Sequence, residues 1–457
     1  MKRANDLGKD PINGLVLRLA VPSMVAQFVN VLYSLIDRMY IGNIPEIGDI
    51  ALAGVGVCGP IVTLLTSFGT LIGLGGSILM SIRLGEGRQE EARRVLSNCF
   101  LLLAGFSAVL TAAFLASRQQ LLSWFGASPA TFPYADTYLT IYTAGTFFAL
   151  MAMGLNYFIT CQGFSTVGMA TVLLGAAANI VLDPLFIFGL DMGVAGAAVA
   201  TVLAQMLSCG FALWFLFSKR PPVRITFGGY SARLAARVFS IGLSPFLILA
   251  TDSAILIVMN AVLQRYGGAQ QGDALIACAT IVQSYMGLIT GPMLGISGGT
   301  QAIISYNYGA AQSARVRCAE KSILRLCLCF TTVMFVVSRL APGYFARIFT
   351  TDPALLELAA WGIRTFTLAI IPLSFQYVLV DGLTALARTK TALFLSMFRK
   401  LTFVAFTLAL PALAGARAAF YAEPLADVIA SCLSTVVFLL VFEKHLARRE
   451  RQCLPAA

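Results

Sequence analysis

The stretch LAVPSMVAQFVNVLYSLIDRMYIG, residues 19–42, decides how the whole chain is read. As a helix it is long enough to cross a hydrocarbon layer of about 30 Å. Yet it carries Pro22 near one end and Asp37 near the other. A carboxylate in a membrane span costs from about 2.5 kcal/mol upward, so it needs a partner or a task. Residues three, four and seven apart share a helix face. Asn30, Tyr33 and Asp37 therefore line one polar stripe, with Pro22 close to the same side. Such a stripe belongs against a bundle interior or a water-filled cavity, not against lipid.

The composition around it agrees. The 457 residues are 58% hydrophobic and 12% charged, with a mean hydropathy of +0.83. Soluble domains are about 25% charged, so a soluble globular protein is excluded and an all-α polytopic membrane protein is expected. About twelve apolar runs have the length of a span. They fall near 15–41, 51–82, 95–116, 135–160, 169–190 and 193–217, then near 238–263, 274–305, 322–341, 360–384, 391–411 and 424–443.

The net charge of +11 is explained by topology. One set of loops holds Arg83, Arg88, Arg93 and Arg94, then Lys219, Arg220 and Arg224, then Arg315, Arg317 and Lys321, then Arg388 and Lys390, and finally Lys444, Arg448 and Arg449. The opposite loops hold few cations, among them Arg118, Arg265 and Arg339. This positive-inside asymmetry predicts that both termini are cytoplasmic, and it leaves no excess charge for a nucleic-acid partner. The ten cysteines are scattered through apolar runs without a Cys-x-x-Cys pair, which reads as small apolar helix residues rather than metal ligands or disulfides. The first apolar run lacks a cleavage pattern and is expected to remain as a span.

The basic, Pro- and Gly-bearing segment 218–237 separates two sets of six spans. The expected organisation is an N-terminal lobe over 12–217, a cytoplasmic linker over 218–237, a C-terminal lobe over 238–443 and a basic cytoplasmic tail over 444–457. The two sets resemble each other at a nearly constant offset. Gly75-Gly76-Ser77 and Gly85 answer to Gly298-Gly299-Thr300 and Gly309. The shift that takes Gly85 to Gly309 also takes Gly163 to Ala387, and Pro22 to Phe246 beside Pro245. Duplicated halves with an even number of spans have the same orientation, related by a pseudo-two-fold axis along the membrane normal. The shift also carries Asp37 to Ala261, Asn179 to Phe403 and Asp183 to Thr407, so polar chemistry present in the first half is missing from the second.

A second polar feature lies in GAAANIVLDPLFIFGLDMGVAGAAVAT, residues 175–201. Asn179 and Asp183 share a helix face, and Pro184 removes a backbone bond and bends the helix. Small residues from Gly193 to Ala200 admit a close neighbour, on which Thr201 is placed to face Asp183. Tyr33, Asp37, Asn179, Asp183 and Thr201 are thus the candidate ion-binding set. Buried, mutually close carboxyls suit a proton, and the same oxygens suit sodium; composition leaves both open. Each acid also has a structural reading. Asp37 could pair with Arg38, and Asp183 could tie two helices together. Asp252 is a gate, a cation site or an acid satisfied by a hydroxyl. Asp381 is expected to pair with Arg388 and Lys390. His445 lies in the basic tail. Asn30, Met39, Met153 and Met286 are candidate residues of a substrate cavity.

The proline-bearing first span ending in Ile36-Asp37-Arg38-Met39-Tyr40-Ile41-Gly42, the stretch NIVLDPLFIFGLDMGVAGAAVAT and the segment GISGGTQAIISYNYGA, residues 295–310, together resemble the multidrug and toxic compound extrusion transporters. The resemblance implies twelve helices in two six-helix lobes forming a V. It also implies export of small amphipathic organic cations against inward H+ or Na+, without a cofactor and without enzyme activity. It implies ion-coupling roles for Asp37, Asn179 and Asp183, with Tyr33 and Thr201 nearby, and a hinge at Pro22; Pro184, which bends its own helix, is the second candidate hinge. Some members carry a further acid pair in the second lobe. It falls here on Asp252 and, as a departure, on Gln376. A monomer in the cell membrane is expected. Two other readings compete. A flippase for lipid-linked sugars would draw on Arg364, Arg399 and Lys400, and an intramembrane enzyme would need a nucleophile–base pair that the spans do not offer.

Overall fold

A computed structural model of the chain describes residues 5–350 and 352–453, with the side chains of 49, 253, 254, 256, 257, 269, 270, 273 and 453 left aside. The described residues are helical throughout, with no strand among them. In the first half, α1 spans Ile12–Gly42, α2 Gly48–Gly85, α3 Gln89–Trp124, α4 Phe132–Ala144, α5 Thr146–Thr160, α6 Ser165–Pro184 and α7 Gly193–Phe217. In the second, α8 spans Ala232–Gly309, α9 Ser313–Leu340, α10 Pro342–Ala346, α11 Pro353–Phe366, α12 Ile370–Ala385, α13 Thr389–Ala414 and α14 Ala422–Cys453. Helix α8 is two spans in one, broken at Gly268, whose φ of 61° only glycine adopts without strain.

Ten described helices are long and apolar enough to cross a membrane, and two bent pairs bring the count to twelve. The bent pairs are α4 with α5, at 57°, and α11 with α12, at 50°. The sequence reads each of these as one straight span. A bend over one to three residues leaves the hydropathy pattern intact, so it is invisible there.

The duplication is written into the backbone. The shift from Gly85 to Gly309 also carries Gly145, the elbow of the first bent pair, to Ala369, the end of the second elbow. It carries three left-handed residues onto three others: Gly87 (φ 75°) onto Ala311 (55°), Gly163 (87°) onto Ala387 (58°), and Asp191 (51°) onto Gly415 (81°). The helix-ending bonds repeat as well. Arg88 N–H donates to Arg83 C=O as Gln312 N–H donates to Asn307 C=O, both at 2.9 Å. Alanine in a left-handed cap costs about 1 kcal/mol over glycine. That Ala311 and Ala387 keep this geometry without glycine shows that packing, not local propensity, imposes it.

The lobes meet on the side that holds the α2–α3 and α8–α9 turns. A Cβ on Gly85 would collide with the carbonyl oxygen of Tyr306, and one on Gly309 with that of Ile82, the same pair under the shift. Further along, Gly242 meets Leu71, and Gly295 meets Met24 and Ser23. Glycine at these crossings lets two helices approach at backbone distance. On the same side, Arg449 of α14 bonds Glu86 at 2.5 Å and the Gly309 carbonyl at 2.9 Å, and its guanidinium lies over Tyr308. His445 stacks on Tyr308 and, with Nδ1 accepting from Arg388, donates its Nε2–H to the Tyr308 hydroxyl at 2.8 Å. The tail region is thus a continuation of α14 as far as Cys453, and residues 454–457 lie outside the described residues. Residues 218–231 carry no helix and fold onto the first lobe. There Val223 N–H donates to Gln162 and Ser231 N–H to Asn98, both at 2.8 Å.

Candidate functional site

On the side away from these contacts the lobes part around a cavity of about 730 Å³. The first lobe supplies Tyr33, Asp37, Arg38, Pro60, Tyr138, Tyr142, Thr201 and Gln205. The second supplies Asp252, Met259, Met286, Phe366, Tyr377, Arg399, Lys400, Phe403 and Glu423. The size lies within the range of about 300–1,000 Å³ common for small-molecule sites. Aromatic faces and methionines make the wall adaptable and give it electron-rich ring faces.

The acid cluster stands at and behind the first-lobe wall. Asp37 is on the wall, its carboxyl neighbouring that of Asp183. Asp183 is fully buried, and Asn179 is 2% exposed. The Asn179 amide donates to Asp183 Oδ1 at 3.1 Å and to Thr201 Oγ1 at 3.4 Å. Asp37 Oδ1, Asp183 Oδ2 and Asn179 Oδ1 are buried without a donor. Two carboxyls in contact cannot both stay ionised at no cost, so one bond between them needs a shared proton or an intervening cation. Tyr33 lies within electrostatic reach of both acids. Among the described residues Arg38 makes no ion pair with Asp37, although its charge is felt there.

Local sequence explains the placement. Helix α6 ends at Pro184 and opens into a single π turn, Leu185–Gly189. π turns of this kind recur at functional sites. Gly196 of α7 sits against the Phe186 backbone, where a Cβ would come within 2.7 Å, and this close approach brings Thr201 to Asn179. Helix α1 runs unbroken through Pro22, whose missing N–H leaves the Arg18 carbonyl without its helical donor.

Several expectations are corrected. Asp252 and Gln376 do not form one site. Asp252 pairs with Lys400 at 2.6 Å, while buried Gln376 accepts from Ser434 and donates to the Leu395 carbonyl at 3.4 Å, tying α12 to its neighbours. Of the cavity candidates only Met286 is on the wall. Met39 is 57% exposed, Asn30 receives no place there and donates to Gln27, and Met153 packs against Thr70. Asp381 does not meet Arg388, which donates to His445 at 3.1 Å; it faces Ser297 and Gln301 instead.

Arg399 and Lys400, named above only for the flippase reading, both line the cavity. Arg399 pairs with Glu423 at 2.5 Å and with fully buried Asp427 at 2.7 Å. Lys400 also donates to Thr251 at 2.9 Å and to the Ile248 carbonyl. Glu423 and Asp427, four apart at the start of α14, are residues that sequence reasoning missed. Two acids on one face opposite two adjacent cations inside an apolar run were the available signal.

The fold and site define a two-lobed, twelve-span membrane transporter. The MatE family model matches residues 22–185 and again 246–408, two copies whose starts are related by the shift that joins Gly85 to Gly309, and the chain belongs to that family. Among curated relatives, a multidrug export protein MepA of Staphylococcus haemolyticus (strain JCSC1435) is 23% identical over 430 residues, covering 92% of each chain. A solved outward-facing multidrug resistance MATE family transporter of the MOP superfamily superposes with a TM-score of 0.90 at 22% identity, covering 97% of this chain and 99% of its own. A MOP superfamily transporter from Pyrococcus furiosus Vc1 (DSM3638), described as having a binding pocket of reversed polarity that suggests a different function, gives the same score, identity and coverage. At these identities the structural likenesses speak for the fold.

Proposed function

We propose that this chain is a secondary antiporter of the cell membrane that exports small amphipathic organic cations in exchange for inward H+ or Na+. Asp37 and Asp183 form the coupling pair, and Asn179, Thr201 and Tyr33 complete the ion site. The observation that carries the reading is the contact between the two carboxyls, one on the cavity wall and one behind it. An ion bound there neutralises Asp37 and weakens the wall's hold on a cation. Loss of the ion restores the charge and the affinity. That reciprocity is what exchange requires. The relatives named as multidrug exporters support the substrate class.

In this reading the lobes are closed on the cytoplasmic side, where both termini lie. Pro22 and Pro184 are the hinges through which ion occupancy bends the first lobe, and a single chain suffices for the cycle. A charge moving through about 100 mV supplies about 2.3 kcal/mol. One H+ or Na+ exchanged for one monovalent cation moves no net charge, so the ion's own concentration gradient alone drives that stoichiometry.

The flippase reading gains a cationic wall in Arg399 and Lys400, but each faces an acid, which leaves little net positive charge for a pyrophosphate. The deciding experiment is uphill ethidium export in proteoliposomes with imposed H+ and Na+ gradients. Asp183→Asn should abolish accumulation while ethidium still binds. Wild-type accumulation by that variant refutes the assignment.

A further inference from the structure

The residues just before α1 cross the seam between the lobes. Asp6 Oδ1 accepts from the N–H groups of Gly8 and Lys9 at 3.0 and 3.1 Å, and Asp10 N–H donates to the Asp6 carbonyl at 3.1 Å. This turn presents two main-chain carbonyls to the second lobe. The Leu7 carbonyl accepts from Asn307 Nδ2 at 3.0 Å and from Arg315 Nη2 at 3.1 Å. The Asp10 carbonyl accepts from the same guanidinium at 2.9 Å. Arg315 Nε donates to Asn307 Oδ1 at 2.8 Å, which orients both donors. Asn307, near the end of α8, is fully buried, and so, nearly, is the Leu7 side chain. The same segment is fixed to the first lobe. It continues into α1, and Asn5 Nδ2 donates to the Gly163 carbonyl, between α5 and α6, at 2.9 Å.

The segment lies on the closed crossing itself. The Tyr306 carbonyl meets Gly85 of α2, and the ring of the same residue meets Gly8, where a Cβ would stand 3.0 Å from Tyr306 Cε1. The other half repeats the arrangement. The shift from Gly85 to Gly309 takes Asn5 to Gly229 and Leu7 to Ser231, just before α8. Asn98 of α3, itself buried, accepts from Ser231 N–H at 2.8 Å and donates to the Gly229 carbonyl at 3.2 Å. In each half, then, an asparagine of one lobe holds the segment that leads into the first helix of the other. The difference is connectivity. Residues 218–231 join the lobes as the chain between them, whereas residues 5–11 join them through bonds that can open.

We propose that residues 5–11 are a strap that locks this side of the transporter, and that Arg315 is the positioning residue that closes it. The inference rests on the transporter reading, in which the lobes part on this side during each cycle, and not on the choice of coupling ion. Parting the lobes carries α1 and Gly163 away from Asn307 and Arg315. The Leu7 and Asp10 carbonyls then exchange the guanidinium for water. Hydrogen bonds from a charged donor in a partly buried seam are stronger than neutral ones and less screened than an exposed ion pair. Closure of the strap therefore favours the state open on the far side, and its release is a step of every cycle.

The test is hydrogen exchange of the full-length protein in lipid nanodiscs, read by mass spectrometry, for wild type, Arg315→Gln and Leu7→Asp. Both substitutions should release the strap. Helix amides around Gly85 of α2 and around Tyr306 to Gly309 of α8 should then exchange about tenfold faster, because exchange follows the population of the open form. Faster exchange confined to residues 5–11, with the seam amides unchanged in both variants, overturns the lock. If Arg315→Gln does not fold, Leu7→Asp carries the comparison. The converse arm fixes the strap in place. Gly8→Cys combined with Tyr306→Cys, joined by a short crosslinker between the two thiols, should stop ethidium export in proteoliposomes, while each single variant treated alike still exports. Full export by the crosslinked protein also overturns the lock. The exchange measurement needs no ion gradient, so wild-type export by Asp183→Asn would refute the antiport reading and leave the strap standing.

Discussion

The two lobes face one cavity with opposite treatments of charge. In the first, Asp37 and Asp183 touch each other, helped by one amide and one hydroxyl. In the second, Asp252, Glu423 and Asp427 are held by Lys400 and Arg399. The shift that relates the halves makes the contrast sharp. Asp183 falls on Thr407 and Asn179 on Phe403, while Arg399 falls on Gly175, Lys400 on Ala176 and Asp427 on Leu203. In the proposed reading, one duplicated bundle carries an exchangeable ion in one copy and fixed counter-charges in the other. Acids without fixed partners change charge during a cycle; acids locked to guanidinium do not. Only the first kind can couple ion movement to substrate release.

The largest expected effect comes from removing the exchangeable charge. Asp183→Asn keeps the shape of the cluster and should lower the uphill export rate by at least about tenfold, or about 1.4 kcal/mol in the barrier, with little loss of stability in a thermal-unfolding assay. The second lobe should behave the other way. Arg399→Leu leaves buried Asp427 and partly buried Glu423 without their cation and should cost about 3–5 kcal/mol of stability, read as a markedly lower melting temperature in detergent. A neutral result there would mean that the charges on α13 and α14 are not a locked unit.

A smaller effect is expected at Lys400. Asp252 is half-exposed on the cavity wall, and its lysine competes with any cationic ligand. Lys400→Gln should tighten ethidium binding about tenfold, about 1.4 kcal/mol, measured by fluorescence titration. Weaker binding would show that the pair itself is part of the site.

The smallest concerns the latch between Glu86 and Arg449. Burial raises the Glu86 carboxyl, but the hydrogen bonds and charges of Arg83 and Arg449 outweigh it and hold the group below its ordinary value. A carboxyl lowered in the folded state contributes stability above its unfolded value and loses it as pH falls through the folded one. The latch should therefore hold at neutral pH and release only below the usual carboxylate range. Glu86→Gln should remove that acid-induced step in a spin-label distance measurement across the closed side, and should shift the balance of conformations by about 1 kcal/mol or less.

Much of this was legible in the chain. Apolar run length marked the spans, and one offset joined Gly85 to Gly309 and Gly163 to Ala387, because crossings and caps constrain residue type strongly. Asp37, Asn179 and Asp183 could be grouped because helical spacing and Pro184 act locally. The rest depends on helix rotation and on pairs far apart in sequence. Arg399 meets Glu423 and Asp427 across a turn between spans, and nothing in α13 alone says that its cations face inward. Glu320 sits among Arg317, Lys321 and Arg325 in the sequence, where it reads as one more charge of a basic loop. Only the packing of α9 on Gly382 reveals that it is buried. Gln376 and Met153 are misplaced for the same reason: spacing gives a face, but not which neighbour that face meets.

The central claim is that ion and substrate exchange through the Asp37–Asp183 pair. It is tested most directly by counting ions released when ethidium binds to the purified protein, with a pH indicator for H+ and a sodium electrode for Na+. The account predicts release of one of these ions from wild type and none from Asp37→Asn or Asp183→Asn, both of which still bind the dye. Equal release from wild type and Asp183→Asn would contradict it.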